Sequence, residues 1–215
     1  MKTSKKFNVL LADDHNIVRH GLKKILEDEF TEVFVGEASR DTQVFDQLNQ
    51  HKWDLVILDI NMPGKSGLEI LKDIKSLYPE LPVLILSMYP EEQFALRVMK
   101  SGASGYVRKD SAPEELVNAV NEILNGRKYL STVVMDILSD SVKKGGKTEL
   151  NEILSDREYE IFMLIAQGKT ISEIAEILSL SVKTVSTHRT HILEKTKLKN
   201  NADIVMYAVR NKLLQ

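Results

Sequence analysis

Short apolar runs alternate with amphipathic stretches over the first 125 residues, and the alternation repeats five times. The runs Asn8–Ala12, Glu32–Ala38, Leu55–Asp59, Val83–Ser87 and Gly105–Val107 read as strands, the most continuous of them buried on both faces of a parallel sheet. Between them apolar residues recur at helical spacing, as in Val18/Leu22/Ile25/Leu26, Leu68/Leu71/Ile74 and Leu116/Val117/Val120/Ile123/Leu124. Strand, helix and short connection in that order predict a doubly wound α/β domain, (βα)5, with helices on both sheet faces. Pro113 before Glu114 and Glu115 suits the first turn of the fifth helix, and Asn125-Gly126 ends it.

The pattern then changes. Thr132–Ser139 reads as a short amphipathic piece leading into Lys143-Lys144-Gly145-Gly146-Lys147, a linker. Beyond it no strand pattern occurs. Ser155-x-x-Glu158 and Thr170-x-x-Glu173 are capping boxes, each heading an apolar helical repeat. The expected organisation is therefore a sheet domain over 1–128, a linker with a short helix over 129–149, and a small all-α domain over 150–215. Thr170–Leu178, the turn Ser179-Leu180-Ser181 and Val182–Thr196 fit a helix-turn-helix, or on shape alone a helical hairpin.

Composition narrows the class. At 215 residues, with 43% apolar and 28% charged, the chain holds enough core for two folded domains. It has no cysteine, which excludes disulfide and thiol chemistry and fits a reducing compartment. The basic N-terminus is followed by too short an apolar stretch for a signal peptide. No run approaches the roughly 20 apolar residues of a membrane span, so the expectation is a cytoplasmic protein. The net charge of −2 argues against a generally basic nucleic-acid binder, but its distribution argues otherwise. Residues 1–140 carry 17 basic and 22 acidic side chains, whereas Ser181–Asn200 carries five basic and one acidic. The positive charge is local and lies on one expected helix.

Candidate chemistry sits at the strand ends. One strand ends in Asp13 and Asp14, another in Asp59, a third in Ser87 and a fourth in Lys109. Each alone has a bland reading: Asp14 or Asp59 as a cap, Lys109 as a solvated lysine, Tyr106 as strand packing. Together they gather at the carboxyl ends of parallel strands, where open α/β sheets place their sites. Three carboxylates about 5 Å apart repel by roughly 3 kcal/mol per pair at an effective dielectric near 20, a penalty that a hard divalent cation removes. Asp13, Asp14 and Asp59, with the backbone carbonyl of Asn61, form the expected Mg²⁺ ligand set. Asp59 could then attack a phosphoryl group neutralised by the metal and Lys109.

These residues resemble the receiver domain of two-component response regulators. The resemblance implies a histidine kinase as donor and Asp59 as phosphoacceptor. It further implies that Ser87 swings to the phosphoryl oxygens and that Tyr106 follows it inward. Leu154-Ser155-Asp156-Arg157-Glu158, with Ile171–Ala175 and Val182–His188, is similar to the LuxR-type DNA-binding domain. The pair resembles the NarL/FixJ regulators, which implies a transcription factor rather than an enzyme acting on other substrates. In that resemblance Ser186, Thr187 and Thr190 read bases, while Lys183, Thr184, Arg189 and Lys195 contact the backbone of double-stranded DNA. A net +4 on this segment predicts a salt slope near −4 per monomer, weak for one copy, so a homodimer is expected. Met206 and Tyr207, projecting beyond an Ile204/Val205/Ala208/Val209 stripe, are the candidate dimer contacts. His188 and His191 read as packing or phosphate contacts. Two alternatives stay open, a phosphorylation-independent DNA-binding regulator and a phosphorelay intermediate.

Overall fold

The computed structural model describes residues 6–143, 150, 153–211 and 213–214. Lys144 to Lys147 of the expected linker lie outside the described residues. The chain divides into two compact units, Met1–Met135 and Asp136–Gln215. Among the described residues no helix is long and apolar enough to cross a membrane.

The first unit alternates β1 (Phe7–Ala12), α1 (Asn16–Glu29), β2 (Val33–Ala38), α2 (Asp41–Gln50), β3 (Leu55–Asp59), α3 (Gly67–Leu77), β4 (Val83–Ser87), α4 (Glu91–Lys100), β5 (Gly105–Arg108) and α5 (Ala112–Leu124). All strand pairs are parallel, in the order β2-β1-β3-β4-β5. Each βαβ crossover is right-handed by the general rule, so the reversal of direction at β1 puts helices on both faces. One face is a core of Val9, Leu11, Leu55, Ile57, Leu84 and Leu86 covered by Leu22 and Leu26 of α1 and Leu116, Ala119 and Val120 of α5. β3 and β4 are buried at every residue, which is why they read as unbroken apolar runs. The strands differ from expectation only at their ends: β1 begins at Phe7, whose ring meets Phe30 edge-on, β2 begins at Val33, and β5 runs on through Arg108.

α6 (Thr132–Lys143) is longer than the amphipathic piece expected. The second unit holds α7 (Asp156–Ala166), α8 (Ile171–Ile177), α9 (Val182–Thr196) and α10 (Asn201–Arg210). Both expected capping boxes are present, Ser155 with Glu158 and Thr170 with Glu173. α8 closes by Leu180 N–H to Ala175 C=O (2.8 Å) and Ser179 N–H to Glu176 C=O (3.2 Å). Ser179 takes φ 52°, the left-handed position that glycine usually fills in this closure. Ser181 then caps α9 by accepting the Thr184 N–H (3.0 Å), so helix, turn and helix are fixed locally.

Candidate functional site

Register builds the first site. β1 and β3 are neighbours with Ala12 level with Leu58, so the next residues, Asp13 and Asp59, emerge side by side where the sheet order reverses. Both are buried, at 0% and 1% exposure. Their loops are pinned. Asp13 N–H donates to Ala38 C=O (3.1 Å), and His15 N–H donates to Asp13 Oδ1 (2.8 Å). Gly67 N–H donates to Ile60 C=O (2.7 Å), and a Cβ on Gly67 would lie 2.1 Å from the Asp59 carbonyl oxygen. Only glycine permits this approach, which seats the start of α3 against the loop after β3.

Lys109 reaches in from beyond β5 and places its Nζ 2.7 Å from Asp13 Oδ2 and 2.6 Å from Asp59 Oδ2. Asn61 N–H donates to Asp59 Oδ1 (3.1 Å). Burial nonetheless dominates at Asp59: it lifts the carboxyl to about 7 against the pull of Lys109, and the neighbouring Asp13 charge adds to the rise. Burial alone would depress the Lys109 ammonium, but Asp59 and Asp13 more than offset it, and its pKa is raised. One lysine thus leaves surplus negative charge, which a cation would relieve. Ligand atoms of Asp13, Asp14, His15 and Asp59 all lie within 4.8 Å of one another, and their mainly oxygen character suits a hard divalent ion. Removing Lys109 tests this balance. Lys109→Ala strands two buried carboxylates and is expected to cost about 3 kcal/mol or more at pH 8 in metal-free solution. Millimolar Mg²⁺ should restore much of that in urea unfolding; equal loss with and without Mg²⁺ would contradict the charge argument.

Ser87 is buried at the end of β4, and its Oγ accepts the Tyr89 N–H (3.0 Å). Tyr106 was expected to turn inward with Ser87; in this structure it is already inside, at 0% exposure, donating its hydroxyl to Tyr89 C=O (2.8 Å). Burial pushes its phenol up. Sequence reasoning missed His15, whose Nδ1 lies 2.6 Å from Asp14 Oδ1, and Arg19. Arg19 donates to Asp13 C=O (2.7 Å), Asn16 Oδ1 (3.1 Å) and Glu37 Oε2 (3.1 Å), which fixes the peptide between the paired acids. Adjacency to Asp13-Asp14 was the signal for His15; Arg19, on α1, gave none, because its partner Glu37 lies 18 residues away on β2.

The second site is the outer face of α9. Val185 and Ile192 are buried, whereas Lys183, Ser186, Thr187 and Thr190 are exposed, as a 100° step per residue requires. Thr187 and Thr190 donate their hydroxyls to Lys183 C=O (3.0 Å) and Ser186 C=O (3.1 Å). Thr184 is half-buried, its Oγ1 2.8 Å from Ser181 Oγ at the helix cap. Arg189 and Lys195 are engaged inside the unit. Arg189 donates to Asn201 Oδ1 (2.6 Å), and Lys195 Nζ lies 2.7 Å from Glu158 Oε2. Burial raises the Glu158 carboxyl, but Lys195 and the Ser155 N–H hold it below its usual range. Ligand atoms of Glu158, His188 and His191 also lie within 4.8 Å of one another, with Glu158 already bonded to Lys195.

On α10 the expected faces are partly exchanged. Ile204 and Ala208 are buried, but Val209 is 56% exposed and Tyr207 is half-buried with its ring edge-on to Phe162. Tyr207 lies three residues from Ile204 and shares its face; Val209, five residues on, points about 140° away. Met206 (51% exposed) and Val209 therefore form the outward apolar pair.

Comparison with known proteins agrees with this geometry. Residues 9–121 match the response regulator receiver domain, and residues 152–208 match the luxR family of bacterial regulatory proteins. The oxygen regulatory protein NreC of Staphylococcus epidermidis is 37% identical over 215 residues, covering 96% of this chain and 99% of that protein. NreC of Staphylococcus carnosus is 37% identical over 213 residues, covering 96% and 98%. Among solved structures, RcsB of Salmonella enterica serovar Typhimurium, bound to promoter rprA with the phosphomimetic BeF3⁻, is 29% identical. It superposes with a TM-score of 0.64, covering 94% of this chain and 98% of RcsB.

Proposed function

Since this chain belongs to the response regulator family, a transcription factor with a receiver domain and a LuxR-type DNA-binding domain, we propose that phosphorylation of Asp59 governs its hold on DNA. The observation that carries the reading is the convergence of Asp13, Asp59 and Lys109 within hydrogen-bonding distance at the reversal point of the sheet. The Asp59 carboxylate attacks the phosphorus of a phosphohistidine on a histidine kinase; the P–N bond breaks and an aspartyl phosphate forms. Asp13, Asp14, Asp59 and the Asn61 carbonyl would hold Mg²⁺, which neutralises charge on the transferring phosphoryl group. Lys109 stays paired to the site and offsets the rest. Ser87 turns from the Tyr89 N–H to the phosphoryl oxygens, and Tyr106 keeps its place behind it. The receiver promotes only its own phosphoryl transfer and hydrolysis.

The receiver corresponds to 1–128, the linker to 129–149 and the DNA-binding domain to 150–215. Ser186, Thr187 and Thr190 face base edges; Lys183 meets phosphate; Thr184, Arg189 and Lys195 hold α9 in position for that contact. Two chains bind together in the cytoplasm, joined through Met206 and Val209 with Tyr207 behind them. Solved RcsB assemblies containing two dimers on two parallel DNAs support the dimer. DNA affinity should rise when a small phosphodonor and Mg²⁺ are added; an affinity indifferent to both would contradict the switch. Lys183→Ala should weaken binding to all sequences alike and lower the salt slope by about one. A loss confined to one sequence would assign Lys183 to base reading instead.

A further inference from the structure

We propose that the hydrogen bond between Glu91 and Ser131 carries the state of the phosphoacceptor pocket to α6, the helix that leads out of the receiver toward the DNA-binding domain. The inference rests on the phosphorylation reading above and adds the residues through which the signal leaves.

On the pocket side the moving part is short and stiff. Tyr89 donates its N–H to Ser87 Oγ (3.0 Å) and accepts the Tyr106 hydroxyl on its C=O (2.8 Å). Pro90 follows with φ −56°, and Glu91 then opens α4. A proline ring locks φ, so displacement of Tyr89 reaches Glu91 with little slack. When Ser87 rotates toward a phosphoryl group, the oxygen that holds the Tyr89 N–H moves with it.

The receiving part is anchored. Tyr129 N–H donates to Ser104 C=O (2.9 Å), Tyr129 pairs with Gly105 as a parallel bridge, and its hydroxyl donates to Glu115 (2.9 Å). A Cβ on Gly105 would lie 2.9 Å from Tyr129 O, so glycine admits this strap to the edge of β5. Two residues on, Ser131 donates its hydroxyl to Glu91 Oε2 (2.5 Å), and Ser131 Oγ in turn accepts the Val134 N–H (3.1 Å) at the start of α6. Val134 itself is fully buried.

One hydroxyl therefore does two things. Donating to a carboxylate makes its oxygen a stronger acceptor, so the cap on α6 is firmest while Glu91 is in place. A shift of α4 withdraws Glu91, weakens the cap and loosens the first turn of α6. The bond joins an element that answers to Ser87 with one that is pinned to the sheet edge.

Hydrogen exchange of the full chain tests this. Phosphorylation by acetyl phosphate and Mg²⁺ should speed exchange of the Val134 and Met135 amides about tenfold, the loss of one charge-assisted bond. Glu91→Ala leaves the Ser131 cap residue intact. It should show the faster exchange without phosphodonor and no further change with it, while Glu91→Gln, which keeps an acceptor oxygen but not the charge, should exchange at a rate between the two and still respond to phosphodonor. Full phosphorylation by intact mass with a silent α6, or an undiminished response in Glu91→Ala, overturns the relay alone. Absence of the phosphoryl mass overturns the reading of Asp59 and the relay with it.

Discussion

Asp59→Asn is expected to take up no phosphoryl group from acetyl phosphate in Mg²⁺, while the unsubstituted chain gains the mass of one. The same substitution should stabilise the metal-free protein. The folded Asp59 carboxyl titrates at about 7, against 3.8 for an ordinary aspartate, because burial and Asp13 disfavour its charge. Its folded pKa is raised, so the contribution of the protonated form is complete below pH 3.8 and lost as pH climbs through about 7. Asparagine imitates the protonated form at every pH. The mutant should therefore match the unsubstituted chain near pH 4 and exceed it by on the order of 4 kcal/mol at pH 8 without metal. Mg²⁺ should stabilise the unsubstituted chain at pH 8 far more than the mutant. Denaturant unfolding at the two pH values, with and without Mg²⁺, reads all of this; a mutant that labels normally, or one less stable at pH 8, refutes the assignment.

Thr187→Glu is expected to lower DNA affinity at least a hundredfold. Thr187 is exposed, one turn from Lys183 and beside Ser186, on the face left open by the buried Val185 and Ile192. A carboxylate there meets a polyanion carrying one charge per 1.7 Å of duplex, and like-charge juxtaposition at an interface costs several kcal/mol. The fold should be unaffected, since glutamate is a good helix former and the position is solvated. Binding to a duplex selected from random sequence by the unsubstituted protein measures the loss, and the melting temperature controls for folding. Retained affinity with an unchanged melt would move the DNA surface off this helix face.

Reading Asp59, Asp13 and Lys109 together required only that apolar runs end where they do, because a parallel strand buried on both faces announces its own limits. The capping boxes at Ser155 and Thr170 were legible for a similar reason: donor and acceptor lie three residues apart, and no distant group intervenes. Arg189 and Lys195 read as DNA-backbone contacts on a basic helix. Their partners, Asn201 and Glu158, are 12 and 37 residues away, and no local pattern marks them. Tyr207 and Val209 were exchanged because a stripe drawn by residue type ignored that five residues turn a helix by about 140°.

Contacts within a few residues left a readable mark along the chain in the type of each strand and helix, the capping boxes at Ser155 and Thr170, the residue types waiting at each strand end, and the polar face of α9. Packing between distant segments supplied the rest. It set Asp13 beside Asp59 through the β1–β3 register, seated α3 on the Asp59 carbonyl at Gly67, clamped the acid pair with Arg19, and tied Glu91 to Ser131. The physical reason is range. Hydrophobic periodicity and capping are short-range and leave their pattern in adjacent residues, whereas charge neutralisation and hydrogen bonding across a sheet depend on which distant segments packing has made neighbours.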